Sequence, residues 1–402
     1  MANRPRRASK RDPLALPWQM STTLHSLSAV VTWLRRKAVA ARARLRERNR
    51  LFALTLLGAA FAGFCLPWNG VARAAAAPRY KLTSTMKLGG EGGWDYLTLD
   101  GAGKHLYVTR TTHTMVVDIA TGRPVHDIAG QQRSHGVALV PTAGRGFISD
   151  GKLGAAIVFD LNSGAVLGKV AAADDADSII YDPASNRVLV FCGDAHRMVA
   201  IAPDVNPSGG AASATVDLPG SPEFAVADGL GKVFVNIADQ DEVAVVDTKQ
   251  MKVIARWPTG PGQRPTGMAM DRASRRLFVG CRNKKLLVMN ADDGKIVADF
   301  PIGAFVDATA FNDGLVFASC ADGTLTIVRE VSADKFELAE TVKTELGART
   351  MAVDEHSGTV YLPTADLRFP PAAGAGSAHP RPIPVAGTFR ILVVTQSAAS
   401  ER

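Results

Sequence analysis

Aromatic residues make up only 6% of this 402-residue chain, and cysteine occurs four times. No Cys-x-x-Cys pair is present, which removes the usual thiol motifs for metal and redox chemistry. The serines and histidines lie outside any nucleophile elbow, so a triad of that kind has no anchor in the sequence. Gly89-Gly90-Glu91-Gly92-Gly93 is glycine-rich, but it precedes a strand pattern instead of opening a helix, and it is no phosphate loop. Glycine itself is abundant, at 37 residues, which suits tightly turned strands with small residues near an axis.

The basic balance is also less than it looks. The formal net charge is +8, yet residues 1–50 carry thirteen Lys or Arg against only Asp12 and Glu47. With Arg73 added to that leader, residues 75–402 stand at about −4. An argument for nucleic acid from the high isoelectric point therefore fails for the body of the chain.

The leader reads as an export signal. Residues 1–50 form a basic region, and 51–74 hold an apolar run from Leu51 to Trp68 followed by Ala72-Arg73-Ala74, an A-x-A cleavage pattern. The expectation is a periplasmic or secreted protein. The alternative is an inner-membrane anchor, since 18 apolar residues just span a bilayer with the positive end held inside. The length of the basic region leaves a later start, for instance at Met20, as a further option. In that reading the membrane is met only through an uncleaved N-terminal segment.

What the chain does contain is a repeat. Val116-Val117-Asp118, Val158-Phe159-Asp160, Ala200-Ile201-Ala202, Val245-Val246-Asp247, Val288-Met289-Asn290, Ile327-Val328-Arg329 and Leu392-Val393-Val394 occupy one position of it. Their spacings are 42, 42, 45, 43, 39 and 65 residues. A period of about 40–45 residues with several short strands per unit is the signature of a β-propeller blade. The prediction is an all-β, seven-bladed propeller of four-stranded antiparallel blades over residues 79–396. Tyr80 to Leu88 has no partners of its own in the repeat and is predicted to complete the last blade as its outer strand. Closing the ring in this way removes an open edge.

Aligning the first strand of each blade places Asp95, His135, Asp177, Glu223, Thr266, Asp307 and Arg349 at one position. In a propeller these would ring the mouth of the central channel. Four carboxylates and a histidine in one ring repel each other unless a proton, a cation or Arg349 compensates. A divalent cation such as calcium, held by Asp177, Glu223 and Asp307, is one option; a general base is another. Solvated polar lining is the plain alternative. Arg110, Arg282 and Lys284, in the loops between second and third strands, are candidates with Arg349 for an anionic ligand on the same face. His113 is a further loop candidate there, although His113 and His196 are too few and too differently placed for a zinc site.

Residues 365–388 break the period with a Pro/Gly-rich insertion in blade seven, set between its second and third strands. It is expected over the channel mouth, as a lid, a partner loop or an inert surface loop. Cys192, Cys281 and Cys320 end the second strands of blades three, five and six. They read as small core residues, with a disulfide, a metal or a reactive thiol as alternatives.

Leu106-Tyr107-Val108-Thr109, the Val-Val-Asp strand ends and the Thr121-Gly122 and Ser163-Gly164 turns resemble the YncE-like group of YVTN-repeat propellers. So do Gly92-Gly93-Trp94-Asp95-Tyr96 and the stretch Leu277 to Lys284, which are similar to a secreted bacterial subgroup of unassigned activity. The resemblance implies the seven-bladed fold and hardly constrains function, because no catalytic motif carries over. Two other propeller types are excluded. Copper sites of the nitrous oxide reductase kind need many histidines where this ring has one, and the tryptophan docking repeats of eight-bladed quinoprotein dehydrogenases are absent. The expected role is an exported, monomeric binding or scaffold module that engages a protein or small-molecule ligand at the channel mouth. A metal-assisted, lactonase-like hydrolase is the alternative, with a DNA-binding propeller third.

Overall fold

The computed structural model describes residues 79–370 and 381–397. The basic region, the apolar run with its A-x-A pattern, Cys65 and the middle of the blade-seven insertion lie outside the described residues. The propeller belongs to the unit 75–402.

Seven four-stranded antiparallel sheets form the fold. Blade 1 runs outward through Leu97–Leu99, His105–Thr109, Thr114–Asp118 and Arg123–Ile128. The inner strands of blades 2 to 6 are Ser134–Val140, Ala176–Asp182, Pro222–Ala227, Pro265–Asp271 and Val306–Asn312. Blade 7 begins with the short Ala352–Val353. Each inner strand packs against the next, and Ala352–Val353 meets Leu97–Leu99, so the ring is closed. Tyr80–Lys87 pairs antiparallel with Arg390–Gln396 and supplies the outer strand of blade 7.

Burial follows from stacking the blades. The middle strands lie between two neighbouring sheets, so both faces are covered and near-continuous apolar runs such as Val188-Leu189-Val190-Phe191-Cys192 are needed. The outermost strand of blade 4, Lys252–Pro258, alternates exposed and covered residues because one face is wet. Cys192, Cys281 and Cys320 are free and buried in this layer, and burial pushes each thiol up to about 12. They are core residues without a bridge among them.

Candidate functional site

The predicted ring residues sit where the inner strands lose their register. The pairing slips between Ser134 and Val137, Ala176 and Ile179, Pro222 and Ala225, Pro265 and Gly267, and Val306 and Ala308. A bulge there releases one residue from the ladder and re-aims its side chain. The released residues include His135, Asp177, Glu223, Thr266 and Asp307. Asp95 and Arg349 reach the same level without a bulge, because they precede short inner strands.

A second device fixes the ring backbone. Side chains of each preceding blade donate to ring carbonyls: Thr109 Oγ1 to His135 at 2.7 Å, Ser178 Oγ to Glu223 at 2.7 Å, and Asn236 Nδ2 to Thr266 at 3.0 Å. Ser319 Oγ donates to Arg349 at 2.5 Å, Thr350 Oγ1 to Asp95 at 2.8 Å, and Ser149 Oγ to Asp177. Six of the seven ring positions are thereby stapled to a neighbour, and only Asp307 is not. Such a backbone is organised before any ligand arrives.

One half of the ring is satisfied from within. Asp307 is clasped by Arg349 Nε at 2.5 Å and Arg282 Nη2 at 2.7 Å. Arg282 Nε also donates to Thr266 Oγ1 at 3.1 Å, and Arg349 Nη2 to the Trp94 carbonyl at 3.3 Å. Asp95 Oδ1 lies 3.6 Å from Arg349. Arg349 is thus held firmly charged despite burial, chiefly by Asp307 and then Asp95.

The other half is not. His135 Nδ1 donates to Asp95 Oδ2 at 2.7 Å and stands 3.2 Å from Asp177 Oδ1, near enough for charge attraction but off the hydrogen-bond line. Burial opposes the imidazolium, yet the bond to Asp95 and the charges of Asp177 and Asp95 outweigh it and raise the pKa to about 9. His135 Nε2 is buried and has no hydrogen-bond partner. The Glu223 carboxyl makes no hydrogen bond or ion pair with the described residues. Burial, followed by the negative charges of Asp177 and Asp307, pushes it up to about 8. Asp177 rises to about 7, through burial first and against the pull of His135. Four carboxyls face three cations, His135, Arg282 and Arg349, so near neutral pH one proton on this half balances the ring.

Beneath the ring, two aromatic side chains meet across the channel. Tyr96 of blade 1 meets Phe224 of blade 4 edge to face, with centroids 4.5 Å apart. Blades 1 and 4 are not neighbours, so the rings touch across the axis. Burial, then Asp177, Asp95, Glu223 and Asp307, drives the Tyr96 pKa far up, and its phenol keeps its proton.

A rim of residues lies two positions before each ring residue. It includes Arg133, Asp175, Arg264 and Phe305, the last three with left-handed φ. Their carbonyls accept from the loop residues Gly151 (Arg133), Gly193 (Asp175) and Arg282 (Arg264). Sequence reasoning passed over Tyr96, Phe224, Arg133 and Asp175. The repeat offset that found the ring, moved by one or two residues, would have found all four.

The loop candidates separate. Arg282 faces the mouth. Arg110 is fully buried, with its guanidinium 3.7 Å over the Phe389 ring and donating to the carbonyls of Gly89, Glu91 and Gly93. It therefore holds the closing segment and does not face a ligand. His113 is drawn to Asp127 of the outermost strand at 3.8 Å, and burial lowers its pKa. Lys284 is exposed in a tight turn. Asp177, Glu223 and Asp307 do not converge on a common point; Asp307 is already occupied by two arginines. The group that does converge is Asp95, His135 and Asp177, with ligand atoms within 4.8 Å of one another.

No family model and no curated protein matches the chain. Among solved structures, 1766 chains resemble it. One is hydrazine synthase from Kuenenia stuttgartiensis. It aligns at a TM-score of 0.56 and 11% identity, over 67% of this chain and 92% of that one. The likeness is one of fold.

Proposed function

We propose that the protein is a ligand-binding propeller whose site is the mouth of its own channel, on the side of blades 2 to 4. One observation carries this reading. His135 Nε2 is buried there without a hydrogen-bond partner, and the half-buried Glu223 carboxyl makes no hydrogen bond or ion pair with the described residues, while the opposite half of the same ring satisfies itself. Partnerless buried polar groups cost stability, and they persist where a ligand completes them. The similarity of its repeats to YncE-like propellers and the export-type leader are consistent with a binding role outside the cytoplasm. Mass spectrometry of the native protein for cleavage after Ala74 tests the export part.

The binding part is tested by melting-temperature shifts of the full chain against a small-molecule library. A compound that raises the wild-type melting temperature should lose that effect in Glu223→Gln and His135→Asn. Equal shifts in both variants would place the ligand elsewhere and defeat the reading.

A second reading, hydrolysis, has one observation in its favour. Asp95 orients His135 through Nδ1, and Glu223 in the same ring keeps its proton near neutral pH, a pairing of groups suited to general acid–base work. Lactone or ester turnover that vanishes in Glu223→Gln would promote it over simple binding.

A further inference from the structure

Between blades 2 and 3 the rim has a slot of its own. His135 Nε2 and Asp175 Oδ1 are both buried without a hydrogen-bond partner, and they do not pair with each other. A Cβ on Gly151 would lie 3.0 Å from the first and 3.1 Å from the second. The space between them therefore exists because residue 151 is glycine. On its far side Gly193 plays the same part, since a Cβ there would come within 2.5 Å of Asp175 Oδ2. Arg133 Nη1 reaches Asp175 at 3.0 Å but off the hydrogen-bond line, so Oδ1 still lacks a donor.

The chemistry of the slot is selective. His135 is held between Asp95 and Asp177 through Nδ1, so its Nε2 carries a hydrogen and seeks an acceptor. Asp175 Oδ1 seeks a donor. A hydroxyl supplies both at once. A carboxylate would meet Asp175 and Asp177, and an ammonium would meet His135 and Arg133. Deeper in the mouth, Asp177 and the Glu223 carboxyl offer further polar contacts above the Tyr96–Phe224 floor, an apolar surface of the kind that covers C–H faces.

Resting on the channel-mouth reading above, we infer that the ligand is a neutral polyhydroxylated small molecule, a monosaccharide or cyclic polyol. One of its hydroxyls bridges His135 Nε2 and Asp175 Oδ1 over Gly151. That hydroxyl accepts from the imidazole and donates to the carboxylate. Its neighbours on the ring of the ligand reach Asp177 and Glu223.

The test is isothermal titration calorimetry on the full chain with D-glucose, D-galactose, D-mannose and myo-inositol, beside putrescine, citrate and calcium chloride. Gly151 does not use a left-handed φ, so Gly151→Ala fills the slot without backbone strain. At least one polyol should bind, and Gly151→Ala should weaken it at least tenfold with the melting temperature kept. Asp175→Asn should weaken it in the same direction should Gly151→Ala fail to fold. Polyol binding that both variants leave unchanged overturns the inference. Binding of putrescine, citrate or calcium in place of the polyols also overturns it but leaves the channel-mouth reading standing. No binding by any of these compounds, the slot then holding water only, overturns the inference and leaves the channel-mouth reading to its own library test.

Discussion

The two halves of the ring are built from the same repeat position and reach opposite electrostatic ends. On the side of blades 5 to 7, two arginines enclose Asp307, and Arg349 leans on Asp95. Every charge there has a partner supplied by the protein. On the side of blades 2 to 4, small loop residues at Gly151, Gly193 and Ala238 occupy the place that Arg282 fills in blade 5. Nothing there reaches Glu223, and the imbalance is met by a proton. The closed half is a structural clamp, and the open half is the one proposed to receive a ligand. One arginine at one loop position makes much of the difference.

The comparison breaks most severely at Asp307. Asp307→Ala leaves two guanidinium groups uncompensated around a buried site, and about 3–4 kcal/mol of stability should be lost in urea unfolding. A loss no larger than that of Glu223→Gln at neutral pH would erase the distinction between the halves. Next comes the floor they share. Phe224→Ala should cost about 2–3 kcal/mol and open the axis to water, seen as faster amide exchange around Tyr96.

The open half predicts an effect of opposite sign. A carboxyl whose folded pKa stands at about 8, against an ordinary value of 4.5 in the unfolded chain, binds its proton more tightly when folded. Its stabilising share is complete below the unfolded value and is lost as pH rises through about 8. His135, raised to about 9, works in the same direction, with its share lost above that pH. Asp177, Asp95, Asp307, Asp175, Arg282 and Arg133 are the charges that face this pair. Glu223→Gln should match the wild type near pH 4 and exceed it by on the order of 2 kcal/mol at pH 9. A stability curve of the same slope in both proteins would contradict the partnerless carboxyl. The smallest effect belongs to the staples. Ser149→Ala frees the Asp177 carbonyl and should cost about 1 kcal/mol, matched by Ser319→Ala on the closed side.

Much of this was legible in the chain as a string. The period gave seven blades, and the lone strand Tyr80–Lys87 announced the closure. The ring could be read because the same inner-strand position carries a polar residue in every blade, which the bulges then turn inward. Arg110 and Arg282 show where reading stopped. Both follow a second strand, but Arg110 sits at the repeat position of Cys192 and Cys281, which points into the core. Arg282 is one residue further on, at the position of Gly151 and Gly193, which faces the mouth. In a strand one residue is the difference between two faces.

By itself the sequence determined the architecture and the cast of the ring, since both rest on a period and an alternation that local chain geometry imposes. Only the tertiary structure decided which acid meets which base. Asp95 pairs with His135 across 40 residues, and Asp307 with Arg349 across 42. Charge balance depends on distances between blades, which no spacing along the chain encodes. For that reason Glu223, one of four ring acids that look alike in the sequence, is the one left without a partner.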